Sequence, residues 1–243
     1  MMNMSDVTEI YLESGYYFSP GYYRDFWINK IENVFPEEVK NKNVKLKPHR
    51  EVWVGAIIAA GHTKLTGIKH YVGLPHDEPP DVNILKLRDE VMASGREGLY
   101  AEILKIEITR CSLADKEELI EQIRRKNKPA WKGMTLAIYL YGHGEAIDMV
   151  KLAAQVKGLP EVYLAEIMIV GKVEKMLDED LPQGTFAQVF LYPEVAQTTF
   201  NVNDESLFFR WPEVLKLGSR GINTKMTPLG TYRILAPDIQ TKG

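Results

Sequence analysis

The feature that most constrains the fold is a succession of short apolar segments with helical patterns between some of them. The predicted β-strands are residues 70–74, 82–87, 102–110, 135–141, 162–170, 186–192 and 197–202. Helical spacing of apolar residues follows Ser19-Pro20, Pro48 and Ser112, and spans residues 145–156. The strand–helix–strand order of residues 135–170 predicts a parallel crossover. The chain is therefore predicted to form an α/β fold with a mixed central β-sheet flanked by helices.

Composition excludes several classes of protein. The 243 residues are 45% hydrophobic and 26% charged, as in an ordinary globular protein, and the net charge of -3 gives no overall basic character. Cys111 is the only cysteine, so an internal disulfide and a multi-cysteine zinc site are excluded, and a reducing, cytoplasmic setting is expected. No apolar run is long enough to cross a bilayer and the N-terminus lacks a signal-peptide pattern, so no membrane partner is expected.

The pattern divides the chain into three predicted regions. Residues 1–47 are predicted to be an N-terminal helical appendage, residues 48–173 the α/β core, and residues 174–243 a C-terminal strand and loop extension packed on the core. Aromatic residues crowd the first region, among them Tyr22, Tyr23 and Trp27. Core packing is the favoured interpretation of these rings, and base stacking or a partner surface is the alternative.

Two acidic residues interrupt the apolar pattern of neighbouring strands. Asp81 follows Pro79-Pro80 at the start of one predicted strand, and Glu107 lies within the next, between Ile106 and Ile108. Adjacent strands would bring the two carboxylates together, and paired carboxylates suit a hard divalent cation. The alternatives are that Asp81 merely begins a strand and that Glu107 forms an ion pair with Lys105.

The element order and these residues together resemble a known family. The order helix, strand, strand, strand, helix, strand, with Pro80-Asp81 and then Ile106-Glu107-Ile108-Thr109, resembles the core of the PD-(D/E)xK, or restriction-endonuclease-like, nuclease superfamily. The resemblance covers residues 48–141. It implies a restriction-endonuclease-like core and a nuclease that hydrolyses DNA or RNA phosphodiester bonds with Mg²⁺ or Mn²⁺, with DNA as the preferred partner.

The resemblance also assigns roles to individual residues. It implies that Asp81 and Glu107 bind the metal and that Glu51, on the preceding helix, is an additional carboxylate. The family lysine is replaced by Thr109, which would instead hydrogen-bond a metal-bound water. Lys105, two residues before Glu107 on the same strand face, would supply the ammonium group.

Two other functions remain open. Because Thr109 replaces the lysine, the chain could be a catalytically inactive module that binds nucleic acid or a protein partner. It could also be an assembly protein that forms a homodimer through its aromatic N-terminal segment. The basic run from Arg124 to Lys128 is interpreted as a solvated helix end that suits the helix dipole, with phosphate contact as the alternative.

Overall fold

The architecture was obtained as a computed structural model. It describes residues 15–36, 43–75, 79–91, 97–142, 146–176, 179–217, 225–226, 232–235 and 239–242. Within these ranges the chain is an α/β structure in which a large mixed sheet is flanked by helices. In the same ranges, no helix has the length and apolar character needed to cross a membrane.

Four α-helices are present in the described ranges. They are α1 (Pro20–Trp27), α2 (Lys47–Thr66), α3 (Leu119–Lys126) and α4 (Met149–Lys157). Short helical turns occupy Ile28–Glu32, Val44–Leu46, Leu113–Glu118 and Pro129–Trp131. The Ser19 side chain caps α1, and α2 ends at Gly67, whose φ of 69° is the left-handed conformation that favours glycine.

The described ranges contain 14 strands, 12 of which form the main sheet. In chain order the strands are β1 (Tyr16–Phe18), β2 (His70–Gly73), β3 (Val82–Val91), β4 (Glu97–Ser112), β5 (Thr135–Tyr141), β6 (Glu166–Lys172), β7 (Lys175–Met176), β8 (Glu179–Asp180), β9 (Thr185–Tyr192), β10 (Ala196–Asn201), β11 (Val214–Leu217), β12 (Lys225–Met226), β13 (Tyr232–Leu235) and β14 (Ile239–Lys242). The order across the sheet is β10-β9-β6-β5-β4-β3-β2-β1-β11-β14, with β13 pairing both β4 and β12. Strands β7 and β8 form a separate pair.

The direction of pairing changes at the centre of the sheet. Strands β2, β3 and β4 are antiparallel neighbours, whereas β4–β5 and β5–β6 are parallel and are connected through α3 and α4. This confirms the predicted parallel crossover between residues 135 and 170. Parallel pairing requires a long connection, which the helices provide.

The sheet separates two apolar cores. Helix α2 packs on one face, where its Ile57 and Ile58 meet sheet residues such as Ile84 and Ile106. Helices α3 and α4 pack on the other face over residues such as Ile138. Helix α2 is buried along most of its length because α1 also packs against it.

Most strand predictions agree with the structure. Strand β5 has the predicted bounds, and the other predicted strands differ from the observed ones mainly at their ends. One prediction was wrong at both ends of its range: residues 90–98 were expected to be a loop or a helical turn, but β3 continues to Val91 and β4 already begins at Glu97. Residues 92–96 lie outside the described ranges. Helix α4 begins at Met149 after an Asp148 cap, later than predicted, and residues 143–145 lie outside the described ranges.

The three predicted regions share the main sheet. Strand β1 from the first region pairs with β2 of the second and with β11 of the third. The domain boundaries at residues 47 and 173 remain predictions. The aromatic residues Tyr23 and Trp27 are buried, as the core-packing interpretation expects, and Cys111 is buried as well.

Gly55 lets α2 approach the sheet closely. A Cβ atom at this position would lie 2.5 Å from Val72 Cγ2 and 3.3 Å from Val82 Cγ2. We expect Gly55→Ala to lower the free energy of unfolding by about 1–2 kcal/mol, because overpacking outweighs the better helix propensity of alanine. Chemical denaturation measures this loss.

Gly158→Ala is the matched control for this prediction. A Cβ atom at Gly158 would make only ordinary contacts, the nearest at 3.4 Å. It should change the unfolding free energy by less than about 0.5 kcal/mol. Equal effects of the two substitutions would contradict the proposed close approach.

Candidate functional site

The pairing of β3 with β4 brings Asp81 opposite Glu107. Val82 pairs with Ile106, and the Asp81 backbone N–H donates to the Ile106 carbonyl at 3.1 Å. The Ile108 N–H then donates to Asp81 Oδ2 at 2.8 Å. Asp81 therefore lies just before the ladder and is hydrogen-bonded to β4 on both sides of Glu107, with its carboxylate held against the strand backbone. Both acidic side chains are largely buried.

Helix α2 adds a third carboxyl group and a lysine. Lys47 Nζ lies 3.1 Å from Glu51 Oε1 and 3.7 Å from Asp81 Oδ1. Residues 47 and 51 are one helical turn apart, so their side chains share one face of α2. Lys47 thus links the helix carboxyl group to the carboxylate at the start of β3.

A second lysine reaches Glu107 from the opposite helical layer. Lys126, the last residue of α3, donates from Nζ to Glu107 Oε1 at 3.0 Å. The same ammonium group stands 4.4 Å from the centre of the Trp131 ring. Lys126 belongs to the basic run that was predicted to be a solvated helix end, but its side chain forms an ion pair with Glu107.

The three carboxyl groups influence one another electrostatically. Burial, followed by the neighbouring Asp81 carboxylate, raises the pKa of Glu51 to about 7, although Lys47 opposes this shift. Burial and Asp81 also raise the pKa of Glu107, against the opposing effects of Lys126 and Lys47. Three carboxylates and two ammonium groups carry a net charge of -1 when all are ionised, and protonation of Glu51 brings this acidic cluster to neutrality.

Lys105 and Thr109 lie on β4 on either side of Glu107. Lys105 pairs in register with Asn83, and strand alternation puts its side chain on the same face as Glu107. Lys47 and Lys126 contact the acidic cluster through their ammonium groups. Thr109 is half-buried and lines a cavity of about 350 Å³ that Glu51 also borders.

The acidic cluster has the donor chemistry of a magnesium site, and each of its acidic residues is paired with a lysine. Carboxylate oxygens are the ligands that Mg²⁺ prefers, and mutual repulsion among the acids is what a cation would relieve. Among the described residues, however, no group of three or more His, Cys, Asp or Glu side chains is placed to hold a metal ion. Coordination would require the carboxyl groups to turn from their lysine partners.

Sequence reasoning did not assign Lys47 or Lys126 to the site. The spacing of Lys47 and Glu51 was a usable signal, because positions i and i+4 on a helix are neighbours. Lys126 gave no such signal, since it reaches Glu107 only through the packing of α3 on the sheet. The predicted metal ligands and Glu51 are brought together, whereas the role assigned to Lys105 remains a prediction.

Comparison with known proteins does not identify a relative. The chain matches no protein-family model, no curated protein and no solved structure.

The raised pKa of Glu51 predicts a pH-dependent stability. A carboxyl group whose folded-state pKa is raised stabilises the fold below its unfolded pKa and loses that contribution as pH rises through the folded value. For Glu51 this stabilising contribution is lost between about pH 4.5 and about pH 7. We expect Glu51→Gln to become progressively more stable than the wild type across this window.

Thermal melts at pH 5 and pH 8 measure this difference. Glu194→Gln, at an exposed position, is the control and should track the wild type at both pH values. A constant difference between Glu51→Gln and the wild type at the two pH values would contradict the assigned shift.

Proposed function

We propose that this protein is a metal-dependent phosphodiesterase that hydrolyses nucleic acid. The observation that carries the proposal is the position of Asp81 opposite Glu107 on neighbouring strands, with Glu51 close enough to interact with Asp81. The order α2, β2, β3, β4, α3, β5 supports a restriction-endonuclease-like core, because it matches the order that the resemblance implies.

The acidic residues would hold Mg²⁺ or Mn²⁺. Asp81 and Glu107 are the proposed ligands, and Glu51 is the proposed outer carboxylate. The cation would polarise the scissile phosphate and lower the pKa of an attacking water. The backbone N–H of Ile108 holds Asp81 in place, which restricts the directions from which the carboxylate can bind.

The lysines of the acidic cluster are the proposed phosphate-binding groups. When a cation takes over the carboxylates, the ammonium groups of Lys47 and Lys126 become available for the charge that develops on the phosphate. Lys105 remains a further candidate for this role from β4. Thr109 would hydrogen-bond a bound water, where the family has a lysine.

A catalytically inactive module is the second candidate. Thr109 at the family lysine position favours it, and so does the pairing of each acidic residue with an ammonium group. In that case the same lysines would be permanent ion-pair partners of the acids. Nucleic acid or a protein partner would then bind without being cleaved.

Cation binding and cleavage test the proposal together. We expect Asp81→Asn and Glu107→Gln each to weaken Mn²⁺ binding by about 10-fold or more, because each removes a charged ligand. Both variants should also abolish Mg²⁺-dependent cleavage of labelled DNA and RNA. Electron paramagnetic resonance of free Mn²⁺ measures the affinity, and Glu194→Gln should bind and cleave like the wild type.

Mn²⁺ binding and nucleic-acid cleavage together distinguish the hydrolase from the inactive module. Mn²⁺ binding that requires Asp81, without cleavage of any substrate, would favour the inactive module. Absence of Mn²⁺ binding at millimolar concentrations would show that the hydrolase proposal is wrong.

The lysines provide an independent prediction. Lys47 competes with a cation for Glu51 and Asp81, so Lys47→Gln should tighten Mn²⁺ binding severalfold while reducing cleavage. Lys128→Gln, an exposed change outside the acidic cluster, should alter neither measurement by more than about 2-fold. Unchanged Mn²⁺ affinity in Lys47→Gln would exclude direct competition.

A further inference from the structure

A cavity of about 350 Å³ opens beside the acidic cluster. Its walls come from α1, the turn that follows it, α2, β4 and β5, and Lys47 and Glu51 belong to both the cavity and the acidic cluster. The volume is at the lower end of the range for small-molecule sites. The cavity has a cationic wall and an aromatic wall, and the carboxyl groups of Glu32 and Glu51 also line it. Trp27 Nε1 donates to Glu32 Oε2 at 2.7 Å.

Two arginines form the cationic wall. Arg50 from α2 and Arg110 from β4 both line the cavity, and Arg50 Nη1 donates to the Asn43 carbonyl at 2.9 Å. Burial and then the positive charge of Arg110 lower the pKa of Arg50, and the Glu51 carboxylate opposes this shift. Phosphate matches the planar donor geometry of guanidinium and would accept hydrogen bonds from these two side chains.

Indole and phenol rings form the aromatic wall. Trp27 and Trp53 stack with their ring centres 5.9 Å apart and an interplanar angle of 5°. The guanidinium carbon of Arg110 lies 4.4 Å from the centre of the Tyr141 ring, which is 39% exposed. Flat rings beside guanidinium groups are the combination that binds bases and phosphates of single-stranded nucleic acid.

We propose that this cavity binds one unstacked nucleotide of the substrate strand. Its phosphate would lie against Arg50 and Arg110, and its base against the aromatic wall. The inference deepens the proposed function, because Lys47 and Glu51 connect the cavity to the acidic cluster. It specifies the substrate as single-stranded nucleic acid or a strand end, since a base inside a duplex cannot enter a cavity.

Other occupants fit less well. Inorganic phosphate would leave the aromatic wall and most of the volume unused. An apolar ligand would bury the charged side chains of the cavity against a surface that offers no hydrogen bonds, which is costly. A nucleotide uses both walls at once.

Binding without cleavage tests the inference. The full-length protein is titrated with a fluorescein-labelled single-stranded decanucleotide in EDTA, and fluorescence anisotropy is measured. We expect Arg110→Gln to weaken binding by about 10-fold or more, because it removes a charged hydrogen-bond donor from the cavity. Arg125→Gln, an exposed change on α3, is the matched control and should weaken binding by less than about 2-fold.

Two further measurements identify the ligand. Tyr141→Leu should weaken binding by about 5-fold or more, because one stacking surface is lost, and circular dichroism melts verify that each variant is folded. A nucleoside monophosphate should compete better than ribose 5-phosphate, because only the former carries a base. Equal competition, or a duplex that binds as tightly as the single strand, would overturn the proposal.

Asp81→Asn distinguishes this inference from the proposed function. In EDTA it should bind the decanucleotide at least as tightly as the wild type, because Asp81 is not among the residues that line the cavity. Equal loss of affinity in Arg110→Gln and Arg125→Gln would refute the nucleotide cavity while leaving Mn²⁺ binding by Asp81 intact. Normal decanucleotide binding without Mn²⁺ binding would refute only the hydrolase.

Discussion

The candidate site depends on the antiparallel register of β3 and β4. Pairing of Val82 with Ile106 places Asp81 at the end of the ladder, opposite Glu107. The same register turns Ile84 and Ile106 toward α2, so the apolar packing of the helix stabilises the arrangement of the acids. A shift by one residue would exchange the buried and exposed faces of the strand, and core burial therefore opposes such a shift.

The apolar pattern of the sequence was sufficient to predict the elements of the sheet. Strand β5 was predicted at its observed bounds because seven consecutive apolar or β-favouring residues occupy it. The outer parts of β3 and β4 were not predicted, because residues 88–98 are mostly polar or small, without an alternating apolar pattern. Their strand conformation arises from pairing with each other, which local composition does not encode.

The candidate site could be predicted only in part, because some of its residues are brought together only by tertiary packing. Asp81 and Glu107 interrupt apolar strands, so burial of their charge could be inferred from the sequence alone. Lys126 is separated from Glu107 by a helix and becomes its partner only after α3 packs on the sheet. The first turns of α2 are also central, because Lys47, Arg50 and Glu51 connect the acidic cluster to the aromatic cavity.

The positions of Lys47 and Lys126 among the acidic residues have a consequence for how the chain folds. In many small metalloproteins the ligands repel each other until an ion arrives, so folding waits for that ion. Here Lys47 and Lys126 compensate Glu51, Asp81 and Glu107 from within the polypeptide. A newly synthesised chain can therefore reach its native structure in the absence of divalent ions, and chelators should leave the fold intact. In the proposed function, ion availability would regulate activity without regulating the amount of folded protein.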